Sequence, residues 1–188
     1  MDIKKLEQEK GELNVLINKG VAFEVEDTEF EVAKGFWGLF KRRVPVRVKR
    51  RFKIEQPTLG TLDRIAVEWI EIAIDEAGLK GDDGMQRART LAAKHAMRCA
   101  KVVAIAVLGS DYLVPRYGID GVVRYDEDWR RLDELTALFG RTVTPSQLFQ
   151  ICMMIIAVCN LGDFLNSIRL MSVDRNTMPG RIEGNNGG

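Results

Sequence analysis

The sequence has few cysteines and no pairing pattern among them. Its three cysteines are Cys99, Cys152 and Cys159, and no two form a CxxC pair. An odd number at these spacings fits neither a disulfide framework nor the usual zinc-binding pattern. We therefore expect a protein of a reducing compartment, without disulfide, structural metal or cofactor.

Known catalytic motifs are also missing. The chain has one histidine and contains no phosphate-binding loop, no GxSxG and no HExxH. His95 and Cys99 lie four residues apart on a predicted helix, where an imidazole could take a thiol proton. The sequence offers no third group to orient the ring, and apolar neighbours predict a packed core pair. We expect no catalytic residue, and an enzyme with an unrecognised site remains an alternative.

Long apolar runs and a strong net charge are absent too. The longest run, Ile151 to Cys159, is shorter than the roughly 20 residues of a membrane-spanning helix. The stretch MDIKKLEQEKGELN has acidic residues and lacks the apolar core of a secretory signal. The 28 Lys and Arg nearly balance the 27 Asp and Glu. These features predict a cytoplasmic protein without a membrane span.

The first third of the chain has the alternation of β-strands. Apolar residues recur at every second position, with turn chemistry at residues 18–20 and at Asp27-Thr28; they are Leu13, Val15, Ile17, Val21, Phe23, Val25, Phe30, Val32, Val44, Val46 and Val48. This pattern predicts a meander of short antiparallel strands over residues 1–56.

The last of these strands is strongly basic on one side. Four cations occupy alternate positions and so face one side of the strand: Arg47, Lys49, Arg51 and Lys53. The side of the earlier strands that is predicted to face solvent carries Glu24, Glu26, Glu29 and Glu31. Pairing would set opposite charges side by side on a solvated sheet face. The cations between residues 41 and 53 outnumber these acids, so polyanion binding by the basic strand stays open as an alternative.

Residues 57–173 have helical periodicity. We predict helices from a Thr61 cap to Gly78, from Gly84 to Leu108, from an Asp126 cap to Gly140, from a Thr144 capping box onward, and from Asp163 to Val173. The helix after Thr144 is apolar nearly all round and is predicted to be the buried centre of the bundle. The whole is one compact α+β domain, in which the meander packs on four to five helices. Residues 174–188 are predicted to be a flexible tail.

The least routine segment is KGFWGLFKRR, residues 34–43. Its four large apolar side chains lie between predicted strands and next to cations; they are Phe36, Trp37, Leu39 and Phe40. They could be core residues under the sheet, an exposed patch that docks a protein partner, or an anchor at a membrane interface. We assign them as the candidate partner-binding residues.

Two stretches resemble a known family. RRFKIEQPTLGTLDRIAVEWIEI and TVTPSQLFQICMMIIAVCNLGDFL are similar to segments of the small tail assembly chaperones of long-tailed bacteriophages and prophages, particularly those of gut Bacteroidales. That family combines a β-rich start, a basic strand, a Pro-Thr-Leu turn and a helical remainder. The similar stretches cover less than half of the chain.

The resemblance implies a non-enzymatic protein that binds the tape-measure protein in the host cytoplasm and shields its apolar helices during tail assembly. We therefore expect a helical protein partner, with self-association also open. Nucleic acid is the alternative partner, through Arg47, Lys49, Arg51 and Lys53.

Overall fold

The computed structural model describes residues 11, 19–34, 41–78, 84–119 and 121–173. Its elements in chain order are β1 (Val21–Lys34), β2 (Lys41–Ile54), α1 (Leu59–Gly78), α2 (Gly84–Leu108), a 3-10 turn (Gly109–Tyr112), β3 (Leu113–Tyr117), β4 (Val123–Glu127), α3 (Trp129–Thr142), α4 (Pro145–Cys159) and α5 (Leu161–Val173). Antiparallel strands at the N-terminal end followed by helices confirm the predicted α+β class. Leu13, Val15, Ile17 and the tail at 174–188 lie outside the described residues.

A long two-stranded hairpin replaces part of the predicted meander. β1 and β2 each have 14 residues and pair antiparallel from Val21 opposite Ile54 to Lys34 opposite Lys41. The predicted turn at Asp27-Thr28 is wrong, because both residues lie inside β1. Asp27 is tolerated there because its carboxylate is buried in an ion-pair cluster rather than exposed at a turn.

The continuous strand changes the arrangement of acids. Glu24 lies opposite Arg51 and Glu26 opposite Lys49, as predicted. Side chains alternate between the faces of a strand, so Glu29 shares the face of Asp27 instead. Glu31 lies on that face as well. The predicted set of four acids on the basic face is therefore reduced to two.

The ion-pair cluster joins the hairpin to α3. The Arg141 side chain donates to both carboxylate oxygens of Asp27, from Nε at 3.2 Å and from Nη2 at 2.9 Å. Arg50 Nε lies 3.2 Å from Asp27 Oδ2, and Arg50 Nη2 donates to Glu29 at 2.6 Å. The guanidinium of Arg141 lowers the pKa of Asp27 despite burial, which opposes ionisation.

The first helices start close to the predicted positions. The N-cap of α1 is Thr58 rather than Thr61, because Thr58 Oγ1 accepts a hydrogen bond from Thr61 N at 3.3 Å. Thr61 lies buried in the first turn, with its hydroxyl 2.9 Å from that of Thr58. α2 spans the predicted residues Gly84 to Leu108 and is followed by Gly109, whose φ of 51° falls in the left-handed region.

A second hairpin, which the sequence did not predict, follows α2. β3 and β4 pair antiparallel from Leu113 opposite Glu127 to Tyr117 opposite Val123. Asp126 belongs to β4 and forms an ion pair with Arg116 at 2.8 Å, so it is not the predicted cap. The N-cap of α3 is Asp128, which accepts from Arg131 N at 3.0 Å.

The core lies where the first hairpin meets α2 and α3. The C-terminal half of α2 is the most buried stretch, with Val103 and Ala104 fully inaccessible. Phe139 of α3 contacts the rings of Phe23 and Phe52, with centroids 5.9 and 4.9 Å apart respectively. One hydrophobic cluster includes residues from the hairpin and from four helices, which unites the predicted strand and helical regions.

Candidate partner-binding surface

Among the described residues, the last two helices carry a large exposed apolar surface. We call it the end surface, and it comprises nine apolar residues whose exposed fractions run from 40% to 70%: Phe149, Met153, Ile156, Leu161, Phe164, Leu165, Ile168, Leu170 and Met171. α4 buries only one side, through residues such as Ile151 and Ile155, so its prediction as the buried centre of the bundle is wrong. Sequence periodicity predicted the helix but could not show that one side of it is exposed among the described residues.

Local sequence fixes both helices of the end surface. Thr144 and Gln147 form the predicted capping box, with Pro145 at the first helical position. Asn160 ends α4 with φ 45° and ψ 50°, and its carbonyl accepts from the backbone of Asp163. α5 therefore begins at Leu161 rather than at Asp163. Its residues Leu161, Phe164, Leu165 and Ile168 have the spacing of one helix face.

The two helices together have the composition of a membrane span. The stretch Pro145–Ser172 has a mean hydropathy of 1.9 over its most apolar window, of which 22% is buried. Asn160 divides the stretch into helices of 15 and 13 residues. At 1.5 Å per residue each is roughly 20 Å long, shorter than the roughly 30 Å of a bilayer core. By length and composition the stretch could cross a membrane, so the predicted absence of a span stays a prediction.

The predicted partner-binding residues Phe36, Trp37, Leu39 and Phe40 lie outside the described residues. They belong to the segment that connects Lys34 of β1 to Lys41 of β2. Their role therefore stays a prediction.

The structure brings the four predicted cations together. Arg47, Lys49, Arg51 and Lys53 are all exposed on one face of β2. Lys53 Nζ forms an ion pair with Glu55 at 2.7 Å. Glu24 and Glu26 lie opposite Arg51 and Lys49, which leaves this face with more positive than negative charge.

The pair His95 and Cys99 gains a neighbour that sequence reasoning missed. Asp75 of α1 lies with Oδ2 2.8 Å from His95 Nε2 and 2.6 Å from Lys94 Nζ. Lys94 is the main reason that the pKa of Asp75 is lowered. Within the described ranges no hydrogen bond joins His95 to Cys99, so no bond activates the Cys99 thiol.

The thiols have the chemistry of packed side chains. Burial raises the pKa of Cys99 and Cys152, and it raises that of Cys159 to about 11. A raised pKa lowers the fraction of reactive thiolate at neutral pH. Over the part of the chain that the structure describes, no group of three or more His, Cys, Asp or Glu side chains could hold a metal ion.

Comparison with known proteins finds no match for this chain. No protein-family model, no curated protein and no solved structure matches the chain.

Proposed function

We propose that the protein is a non-enzymatic tail assembly chaperone that holds apolar helices of a tape-measure protein until the phage or prophage tail is built. The observation that carries this proposal is the end surface. Monomeric proteins rarely expose contiguous apolar patches of more than a few hundred Å². The nine side chains of 40% to 70% exposure together expose an area on the order of 800 Å², which is comparable to the share of one partner in a standard interface.

The shape of the end surface suits a helical partner. α4 and α5 expose apolar side chains on both sides of the bend at Asn160. An amphipathic helix binds such a surface through residues at i, i+3, i+4 and i+7. Binding and release would need no covalent step, in agreement with thiols that are held protonated.

The test is capture of a co-expressed tape-measure helical segment by a triple variant, Phe149→Ser, Phe164→Ser and Ile168→Ser. We expect capture to be lost while the melting temperature stays nearly unchanged, because the three side chains are exposed. The matched control replaces Val67, Ile70 and Ile74, which are similarly exposed on α1, with Ser. Undiminished capture by the first variant, or equal loss in the control, would contradict the proposal.

The predicted aromatic segment is tested separately. Replacing Trp37 and Phe40 with Ser should weaken capture without unfolding the protein if these residues dock the partner. A cooperative loss of fold would instead assign them to the core, and the end surface would remain as the binding site.

A second candidate function is polyanion binding, because the face with Arg47, Lys49, Arg51 and Lys53 has excess positive charge. If this face is only solvated sheet surface, nucleic acid at ~150 mM salt should bind no tighter than about 10⁻⁴ to 10⁻⁶ M. Fluorescence anisotropy with single- and double-stranded oligonucleotides measures this affinity. Sub-micromolar binding that falls steeply with salt, and that is lost on replacing these cations with Gln, would favour the second function.

A further inference from the structure

The second hairpin is exposed on both faces. Every residue of β3 and every residue of β4 is exposed. A two-stranded sheet alone is at best marginally stable in water, and an antiparallel sheet usually packs one of its faces on a core. A further strand would therefore stabilise this hairpin.

The hydrogen bonds at the two ends of the hairpin show which backbone groups point outward. Gly118 N donates to Val122 O at 3.0 Å, and Asp128 N donates to Tyr112 O at 2.8 Å. In an antiparallel pair, residues that exchange hydrogen bonds alternate with residues that do not. The even-numbered residues of both strands therefore bond across the hairpin, and the backbone groups of the odd-numbered residues point to its outer edges.

The two outer edges differ in the groups that they present. On β3 the outward residues include Pro115, which has no N–H to donate and is typical of an edge that no further strand joins. On β4 they are Val123, Tyr125 and Glu127, each with an N–H and a C=O. Among the described residues, no backbone hydrogen bond outside the hairpin uses these groups. The edge of β4 is therefore the one that can accept another strand.

We propose that this edge pairs antiparallel with β4 of a second copy of the chain, about a two-fold axis at Tyr125. Tyr125 then faces its own counterpart, and Val123 faces Glu127 of the second copy. These residues can exchange about six backbone hydrogen bonds across the axis. Arg124 lies opposite Asp126 of the second copy, in a pair of the kind that brings side chains closest together.

The charges of β4 favour this register and this partner. Moving the axis by one residue in either direction would set Arg124 against Arg124 or Asp126 against Asp126, and like charges directly opposite one another are destabilising. Asp126 forms an ion pair with Arg116 of its own hairpin at 2.8 Å, and its side chain is 51% exposed, so it can accept from a second cation. A strand that is complementary to itself fits a second copy better than an unrelated peptide. This surface goes beyond the proposed chaperone function and contains none of the residues of the end surface.

Proline substitution on each edge tests the surface. Sedimentation equilibrium of the full chain, up to its highest soluble concentration, should show a monomer–dimer equilibrium. Tyr125→Pro removes an outward N–H that the hairpin itself does not use, and it should raise the dimer dissociation constant at least about tenfold. Tyr117→Pro is the matched control, because Tyr117 also has an outward N–H but lies on the opposite edge. The control should leave the dissociation constant unchanged.

Charge reversal tests the register. Arg124→Glu and Asp126→Arg each set like charges across the axis, and each should raise the dissociation constant at least about tenfold. An equimolar mixture of these two variants restores opposite charges in both pairs and should recover the affinity of the wild type as a heterodimer. A variant that had merely misfolded would not be rescued by mixing.

The proposal is overturned if the full chain stays monomeric, if the two proline variants behave alike, or if the mixture stays monomeric. Loss of the dimer in the triple variant Phe149→Ser, Phe164→Ser and Ile168→Ser would also overturn it, because self-association would then belong to the end surface. None of these outcomes decides whether the chain captures a tape-measure segment, so the two proposals fail separately.

Discussion

The C-terminal half of α2 and the whole of α5 are both apolar, but the first is buried and the second is exposed. From Val102 to Ala106 every residue of α2 is buried, whereas every residue from Leu161 to Ser172 is exposed. The difference lies in neighbours: α2 is packed by α1, α3 and the first hairpin, and α5 lies beyond the core. An apolar periodic pattern therefore predicts a helix, but only the neighbouring elements decide whether its apolar side is covered.

The largest expected effect on stability comes from replacing one phenylalanine in each of these two regions. Phe139→Ala should lower the free energy of unfolding by about 3–5 kcal/mol, because the ring is 1% exposed and contacts two other phenylalanines. Phe149→Ala should change it by less than about 0.5 kcal/mol, since this ring is 69% exposed. Urea denaturation measures both values. Equal losses would mean that α4 is covered in solution and would end the comparison.

A smaller loss is expected from the ion-pair cluster of the packed region. Asp27→Asn should destabilise the protein by about 2 kcal/mol at pH 7. Removing one partner of a buried pair costs about 3–5 kcal/mol, and the half-exposed Arg50 and Arg141 reduce that figure. The exposed strand neighbour Glu26→Gln is the control and should change stability little.

The stability difference between the wild type and Asp27→Asn should also depend on pH. Because the folded pKa of Asp27 is lowered, its stabilisation is fully present above the ordinary value of 3.8 and is lost as the pH falls through the folded value. The stability difference between the wild type and Asp27→Asn should therefore shrink as the pH falls below about 3.8. A difference that stays constant from pH 7 to pH 2 would exclude the charge as its source.

A still smaller effect is expected at Tyr112, which ties the second hairpin to the core. The hydroxyl donates to Glu127 at 3.0 Å, and Arg64 lies 3.9 Å from the ring centroid. Burial and Glu127 raise the pKa of Tyr112 to about 12. Tyr112→Phe should cost about 1 kcal/mol by thermal unfolding, while the exposed control Tyr117→Phe should cost nothing measurable. Equal effects would remove the distinction between the two tyrosines.

Labelling of the three cysteines measures burial in the same regions without changing the stability of the protein. A thiol reagent at neutral pH should label the native protein slowly, with Cys159 last, because burial raises all three pKa values. All three should react fully in denaturant. Rapid native labelling of Cys99, with a midpoint below its ordinary pKa of 9.0, would revive the hypothesis of a reactive His95 and Cys99 pair.

The sequence predicted those parts of the fold that depend on local chemistry. The capping box at Thr144, the end of α2 at Leu108 and the pairing of Glu24 and Glu26 with basic strand positions follow from neighbouring residues, and the structure confirms them. The turn at Asp27-Thr28 was wrong because Arg141, more than a hundred residues away, gives Asp27 a partner inside a strand.

The sites were less predictable, because they depend on packing between distant elements. The alternation of side chains along a strand was enough to predict that Arg47, Lys49, Arg51 and Lys53 share one strand face. Nothing local to α4 showed that Phe149 and Met153 would be exposed. The contact between His95 and Asp75 was also invisible in sequence, since the two residues lie on different helices, α2 and α1.

The bond between Asp27 and Arg141 also has a consequence for the protein while it is being made. The two residues are 114 positions apart, so at about 5–20 residues per second the ribosome needs roughly 6–23 s to reach the second after the first. Throughout that interval the nascent hairpin carries Phe23 and Phe52 without the Phe139 ring that packs against them. Chains that terminate before residue 139 should therefore be the ones that aggregate or recruit the host's own folding machinery, whereas chains that extend past Cys159 contain every helix of the core.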